Sequence, residues 1–178
     1  MLRIGCDFLD NSTVCAFTGH RTNKLPWGDN ENDPRCLELK RLMYDAADAV
    51  YHAGVRRFIC GMALGCDIYF CETIVQLRGE HPGIILEAAI PFEQQSAAWS
   101  ERDRRRYDRL VTECDIQTVV SSEYSHGCYM KRNQYMIDRA GVLIAAYDGT
   151  PGGTQNTILY AIRQGLEIIE LPILGESC

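Results

Sequence analysis

Residues 141–157 read G-V-L-I-A-A-Y-D-G-T-P-G-G-T-Q-N-T. An apolar run, Gly141–Tyr147, stops in a Gly/Pro-rich turn, and a helical pattern, Gly152–Gly165, starts at once. A run without polar alternation is a strand covered on both faces, which is how strands of parallel sheets read. Parallel neighbours need crossover connections, usually helices, so this one stretch predicts alternating strands and helices throughout. The adjacent glycines Gly152 and Gly153 serve either a tight turn or a seat where backbone N–H groups meet an anion. The rest of the chain has to decide between the two.

The alternation recurs on both sides. Ser12–Gly19 is a short β-rich run ending in glycine. Asp33-Pro34 opens a helix to about Ala53, because proline suits the first helical position and Leu39, Leu42, Met43, Ala46 and Val50 fall near helical spacing. Val55–Cys60 reads as the second strand and is followed by a helix through about Arg78. Ile84–Ile90 reads as the third strand, ending at Pro91-Phe92, with a helix over about Gln94–Cys114. Ile116–Ser121 is the fourth strand, His126 to Ala140 a helix, and Glu167–Leu171 the last strand. The expected fold is a three-layer, Rossmann-like, doubly wound α/β domain with a mostly parallel sheet and helices on both faces. One domain over residues 1–178 is expected, with 1–11 as an N-terminal extension and 173–178 as a tail.

Composition narrows the setting. No apolar stretch reaches the ~18–20 residues of a membrane helix. The first ten residues carry acids where a secretory signal has its apolar core, so a cytoplasmic location and no membrane partner are expected. The nine cysteines include no C-x-x-C pair and sit largely in apolar runs, which points to reduced, buried thiols. Cys66, Cys71 and His81 lack a standard ligand spacing, so no metal is expected, nor any required cofactor. A net charge of −6 argues against a nucleic-acid partner. The local exception, E-R-D-R-R-R-Y-D-R at 101–109, reads as a solvated helix face with i,i+4 pairs. Association into a homo-oligomer is left open.

In a doubly wound sheet, ligands bind beyond the carboxyl ends of the strands where strand order reverses. Three strand ends carry suitable residues. After the first comes T-G-H-R: Thr18, Gly19, a titratable His20, and Arg21 with its fork of donors. After the second comes C-G-M-A-L-G-C-D, where Gly61 and Gly65 bracket a turn into a helix and Asp67 sits in its first turn, either near a ligand or as a cap. After the fifth come Asp148, Gly149, Gly152, Gly153, Thr154 and Thr157. This loop is neither G-x-G-x-x-G nor a Walker loop, so P-loop hydrolysis of ATP is not expected. Trp27 and Tyr147 are available for base stacking, although packing is the commoner fate of such rings. Lys131 and Arg132 read as a solvated helix face.

Together, T-G-H-R, G-M-A-L-G-C-D and D-G-T-P-G-G-T resemble the SLOG superfamily, and more narrowly its YpsA-like branch of small bacterial proteins. The L-P-W-G after T-G-H-R and K-R-N-Q-Y-M-I-D-R-A before the fifth strand are similar to that branch too, so the resemblance covers roughly Cys15 to Pro172. It implies a Rossmann-like domain for a nucleotide or nucleotide-derived ligand, with Asn133 facing the cleft. Superfamily relatives include cytokinin-activating phosphoribohydrolases and the DNA-processing protein DprA. The phosphoribohydrolases carry P-G-G-x-G-T-x-x-E; here P-G-G-T-Q-N-T-I-L-Y lacks both the third glycine and the glutamate. The leading expectation is therefore a sensor or binding module for a ligand such as ADP-ribose, NAD or a nucleoside phosphate. The alternative is an N-glycosidic hydrolase whose catalytic carboxylate is Glu72 or Asp67, with Asp148 a third candidate. A DprA-like single-strand binder rests only on Arg102–Arg109 with Lys131 and Arg132.

Overall fold

The computed structural model describes residues 11–175. Residues 1–10 of the expected extension and 176–178 of the expected tail lie outside the described residues. Six strands form one parallel sheet in the order β4-β3-β2-β1-β5-β6. They are β1 (Val14–Gly19), β2 (Arg57–Cys60), β3 (Ile85–Phe92), β4 (Ile116–Ser121), β5 (Val142–Tyr147) and β6 (Glu167–Pro172). The helices are α1 (Pro34–His52), α2 (Cys66–Glu80), α3 (Glu101–Glu113), α4 (Cys128–Ile137) and α5 (Gly153–Gln164). All pairs in the sheet are parallel, so the expected fold class stands, with no antiparallel strand among the described residues.

Strand alternation divides the core. Cys15, Phe17, Phe58, Leu86 and Ile144 pack under α1 and α2, while Val14, Ala16, Ile59, Ala89 and Leu143 pack under α4 and α5. Because both faces of each central strand are buried, burial removes polar alternation from the sequence. Local signals fix several ends. Asp33 accepts the Arg35 N–H at 2.9 Å and caps α1, with Pro34 in the first turn. Ser100 Oγ accepts the Asp103 N–H at 3.1 Å, so α3 starts at Glu101 and residues 93–99 form turns rather than the helix expected from Gln94. β3 runs through Pro91 to Phe92; beyond Ala88 its β2 side is unpaired, and a proline is tolerated there.

The seven cysteines of the described residues are free and buried. No helix among them is long and apolar enough to cross a membrane.

Candidate functional site

Strand order reverses between β1 and β5, the position where such sheets hold ligands. Gly19 pairs with Ala146, so the loops leaving the two strands run side by side. His20 Nε2 lies 2.6 Å from Asp148 Oδ1. The backbone N–H and hydroxyl of Thr150 donate to the same oxygen at 2.9 and 2.7 Å. Burial raises the Asp148 carboxyl, but the bonds from His20 and Thr150 outweigh it and hold the group at about 2. On its other side the His20 ring turns Nδ1 toward Thr154 Oγ1, 3.3 Å away.

Between these elements opens a cleft of about 280 Å³, just below the usual range of about 300–1,000 Å³ for ligand sites. Of the candidates named from the sequence, the ligand-binding Thr18, Gly19, His20, Arg21, Asn133, Gly153 and Thr154 line it, together with the catalytic candidate Asp67. Lys24, Tyr129 and Arg132 line it as well, and sequence reasoning did not place them there. Arg21 lies over the Tyr129 ring, 4.4 Å from its centroid.

Helix α5 aims its N-terminus at this cleft. It has no side-chain cap and no acid in its first turn. Its positive dipole end and orphan N–H groups are therefore not offset by a local carboxylate. Gly152 has φ +155, a region that L side chains rarely adopt, and a Cβ there would lie 2.6 Å from Lys24 Nζ. That ammonium donates to the Pro151 carbonyl at 3.2 Å. A Cβ on Gly153 would meet nothing within 4 Å. The turn thus brings a cation and bare backbone to one open wall. Asp148, Gly149, Gly152 and Thr157 shape that wall without lining the cleft.

The second strand end does something different. The N–H of Cys66, at the start of α2, donates to the His20 carbonyl at 3.1 Å. A Cβ on Gly65 would lie 2.7 Å from the His20 carbonyl oxygen and the Thr22 nitrogen, and on Gly61 it would overlap the Arg132 guanidinium. Both glycines serve close packing, and the chain itself closes the α2 N-terminus. Gly65 lines a separate cleft of about 350 Å³ with Thr22, Glu31, Tyr69 and Arg106.

Arg132 departs from the solvated-face reading: it is 5% exposed. Its guanidinium lies 3.6 Å from Asp67 Oδ2, which also accepts the Ala63 N–H at 3.1 Å. Burial raises the Asp67 carboxyl against the pull of Arg132, and burial likewise lowers Arg132. Arg132 donates from Nη1 to the Gly61 carbonyl and from Nε to Asn133 Oδ1 at 2.8 Å. Asn133 Nδ2 donates to Thr157 Oγ1 at 2.7 Å, and the Thr157 hydroxyl to the Gly153 carbonyl at 2.8 Å. One hydrogen-bonded chain therefore links the end of β2 to the glycine turn after β5. A helical period through the buried positions Cys128, Arg132 and Met136 was the available signal.

Glu72 is not brought to the cleft. Its carboxylate accepts from Arg106 at 2.8 and 2.6 Å and from Arg109 at 3.2 Å. Arg106 also pairs with Glu31, and Arg105 with Glu101 across one helical turn. Only part of the arginine run is thus a solvated i,i+4 face. Trp27 packs in the core, and Tyr147 sets its ring edge-on to His20 at 5.8 Å.

Comparison with known proteins fits this architecture. A model of the YspA SLOG family matches residues 15–173. The SPbeta prophage-derived protein YoqJ of Bacillus subtilis (strain 168) is 32% identical over 142 residues, covering 72% of this chain and 83% of its own. A UPF0398 protein of Bacillus thuringiensis (strain Al Hakam) is 26% identical over 158 residues, covering 87% and 85%. Among solved structures, DprA from Streptococcus pneumoniae superposes with a TM-score of 0.61 at 14% identity, over 89% of this chain and 50% of that one. DprA from Helicobacter pylori, in a structure concerned with its single-stranded DNA binding mode, gives 0.59 at 17%, over 92% and 67%. The chain spans half the length of the first of these DprA chains, and at such identities the likeness is one of fold. With a family match running from β1 to just past β6, the chain belongs to the YspA SLOG family.

Proposed function

We propose that this protein binds a nucleotide or nucleotide-derived ligand, such as ADP-ribose, NAD or a nucleoside phosphate, and acts as a sensor or binding module. The observation that carries this reading is the uncapped, acid-free N-terminus of α5, open at Gly153 and flanked by Lys24, at the reversal point of the sheet. A phosphate there would meet backbone N–H groups, the Lys24 ammonium and the Arg21 guanidinium. No cofactor is part of this reading.

Binding is favoured over N-glycosidic hydrolysis by how the carboxylates are engaged. Glu72 is tied to Arg106 and Arg109, Asp67 to Arg132, and Asp148 to His20. A hydrolase of this class needs a carboxylate facing the ribosyl centre. Single-stranded nucleic acid competes for the same phosphate chemistry: the fold likeness to DprA weighs against setting it aside on net charge alone.

Calorimetric titration with ADP-ribose, NAD and nucleoside monophosphates tests the proposal. Saturable binding of at least one, weakened about tenfold or more by Lys24→Ala, is expected, a loss equal to a charged contact of about 1.4 kcal/mol. No binding by any of them at millimolar concentration overturns it. Tighter, salt-dependent binding of an oligonucleotide transfers the site to nucleic acid.

A further inference from the structure

At the opposite end of the strands from the cleft, the C-terminal end of α1 and the residue that follows α2 bring together Asp48, His52 and His81. One ligand atom from each lies within 4.8 Å of the other two. His81 Nε2 is 2.6 Å and His52 Nε2 3.5 Å from the same oxygen, Asp48 Oδ1. From this convergence we infer that the trio is a surface binding site for a divalent transition ion of the zinc type. The inference is independent of the nucleotide reading.

The donor set fits that ion. Two imidazoles and a carboxylate suit zinc, nickel or copper, whereas magnesium and calcium prefer all-oxygen shells. Zinc bonds of about 2.0–2.1 Å to nitrogen place neighbouring tetrahedral ligands about 3.3–3.4 Å apart. The three edges of the present triangle therefore need to change by about 1.5 Å or less to reach that geometry. Most of this adjustment falls to His52, whose side chain is 65% exposed and meets the Tyr51 and His81 rings edge-on. Three protein ligands leave the fourth position to water.

His81 is already oriented. Its ring stacks on Tyr51 at 4.4 Å and 17°, and the Tyr51 hydroxyl donates to the carbonyl of Pro82, the next residue, at 3.0 Å. The backbone N–H of His81 donates to the Leu77 carbonyl at 2.9 Å. Such outer contacts fix the ring of a metal-ligating histidine.

Electrostatics favour a cation at this point. His52 ends α1 and His81 follows the end of α2, so the negative ends of two helix dipoles meet here. Glu80 lies on the same turn, accepting from the Tyr44 hydroxyl at 2.7 Å, and Asp45 pairs with Arg41. The opposing cation is Arg56, 4.1 Å over the Tyr51 ring, with one nitrogen donating to the carbonyls of Tyr51 and Val55. Bound metal would pin the end of α1 to the start of the loop after α2.

The test is zinc titration of the full chain in a Cys6→Ser, Cys178→Ser background, which removes two competing thiols. The expected result is one equivalent of saturable zinc, a rise in melting temperature, and no comparable rise with magnesium. His52→Ala and His81→Ala should each weaken zinc at least about tenfold. Cobalt(II) should bind without a thiolate charge-transfer band. Should His81→Ala fold poorly, zinc-induced shifts of the His52 and His81 ring resonances in the unmutated sites decide the matter. No saturable zinc at ~100 μM, undiminished zinc binding in His52→Ala, or a cobalt–thiolate spectrum overturns the inference.

Discussion

Nε2 of His20 and Oδ1 of Asp148 lie 2.6 Å apart across 128 residues of sequence, fastening the end of β1 to the end of β5. His20 is 3% exposed, so water does not replace the bond. The pair aims the other ring nitrogen at Thr154 on the first turn of α5. It therefore ties the cleft's two walls to one another.

This pair gives a pH prediction with a definite sign. The Asp148 carboxyl is held at about 2, below its ordinary 3.8. A depressed carboxyl stabilises the fold above its unfolded value and loses that contribution as pH falls through the folded one. Wild type should therefore melt higher than Asp148→Asn above about pH 5, with the gap closing toward about pH 2. Thermal melts across that range check it; a gap that does not vary with pH contradicts the pairing.

Two glycine substitutions should separate ligand wall from packing. Gly153→Ala adds a methyl that meets no atom within 4 Å beyond its chain neighbours and its own helix backbone, on a helix where alanine is favoured. It should keep or slightly raise stability while crowding a phosphate at the α5 amides, weakening nucleotide binding about tenfold, or ~1.4 kcal/mol. Gly65→Ala places a Cβ 2.7 Å from backbone at φ +98 and should cost about 1–3 kcal/mol or more. Urea unfolding alongside calorimetry checks both; unchanged binding by Gly153→Ala would return the turn to a purely structural role.

That contrast also shows what the sequence made legible. The layer architecture was readable because central strands such as V-L-I-A-A have no polar face to hide, and the Asp33-Pro34 pair marks α1 locally. The three glycine-rich strand ends were visible as well. Their roles were not, since the difference between Gly65 and Gly153 is the distance to residues far away in the chain. Glu72 pairs with arginines 34 and 37 residues on, and only tertiary packing decides that it turns from the cleft. The charge of Arg132 suggests solvent, but its place in the buried helical period of Cys128 and Met136 decides its position. The spacing of His81 to the cysteines carries no signal, because its neighbours in space are Asp48 and His52.

The Asp67–Arg132 pair predicts a large, non-additive cost. Both side chains are buried, and each leaves an uncompensated charge if the other is removed. Arg132→Met should destabilise by about 3–5 kcal/mol. The double variant Asp67→Asn, Arg132→Met should lose less than the sum of the singles, because no buried charge remains. In Arg132→Met the Asp67 carboxyl loses its main opposing pull and should rise further. Chemical denaturation of the cycle measures the coupling; additive costs would show that the two groups do not interact.

Glu72→Gln distinguishes the two functions read from the sequence. As a catalyst, Glu72 would be needed for turnover but not for binding. In the structure its carboxylate instead joins Arg106 and Arg109, with Glu31 on the far side of Arg106, and these groups are partly exposed. Partly solvated pairs contribute little, so Glu72→Gln should cost about 1 kcal/mol of stability. Raised salt should shrink that cost. Ligand affinity should stay within about twofold of wild type, roughly 0.4 kcal/mol. Arg106→Gln should cost more stability, because it breaks the pair with Glu31 as well as the pair with Glu72. If Glu72→Gln instead weakens ligand binding or abolishes release of free base while Arg106→Gln leaves both intact, Glu72 swings to the cleft in solution and the hydrolase reading displaces the binding one.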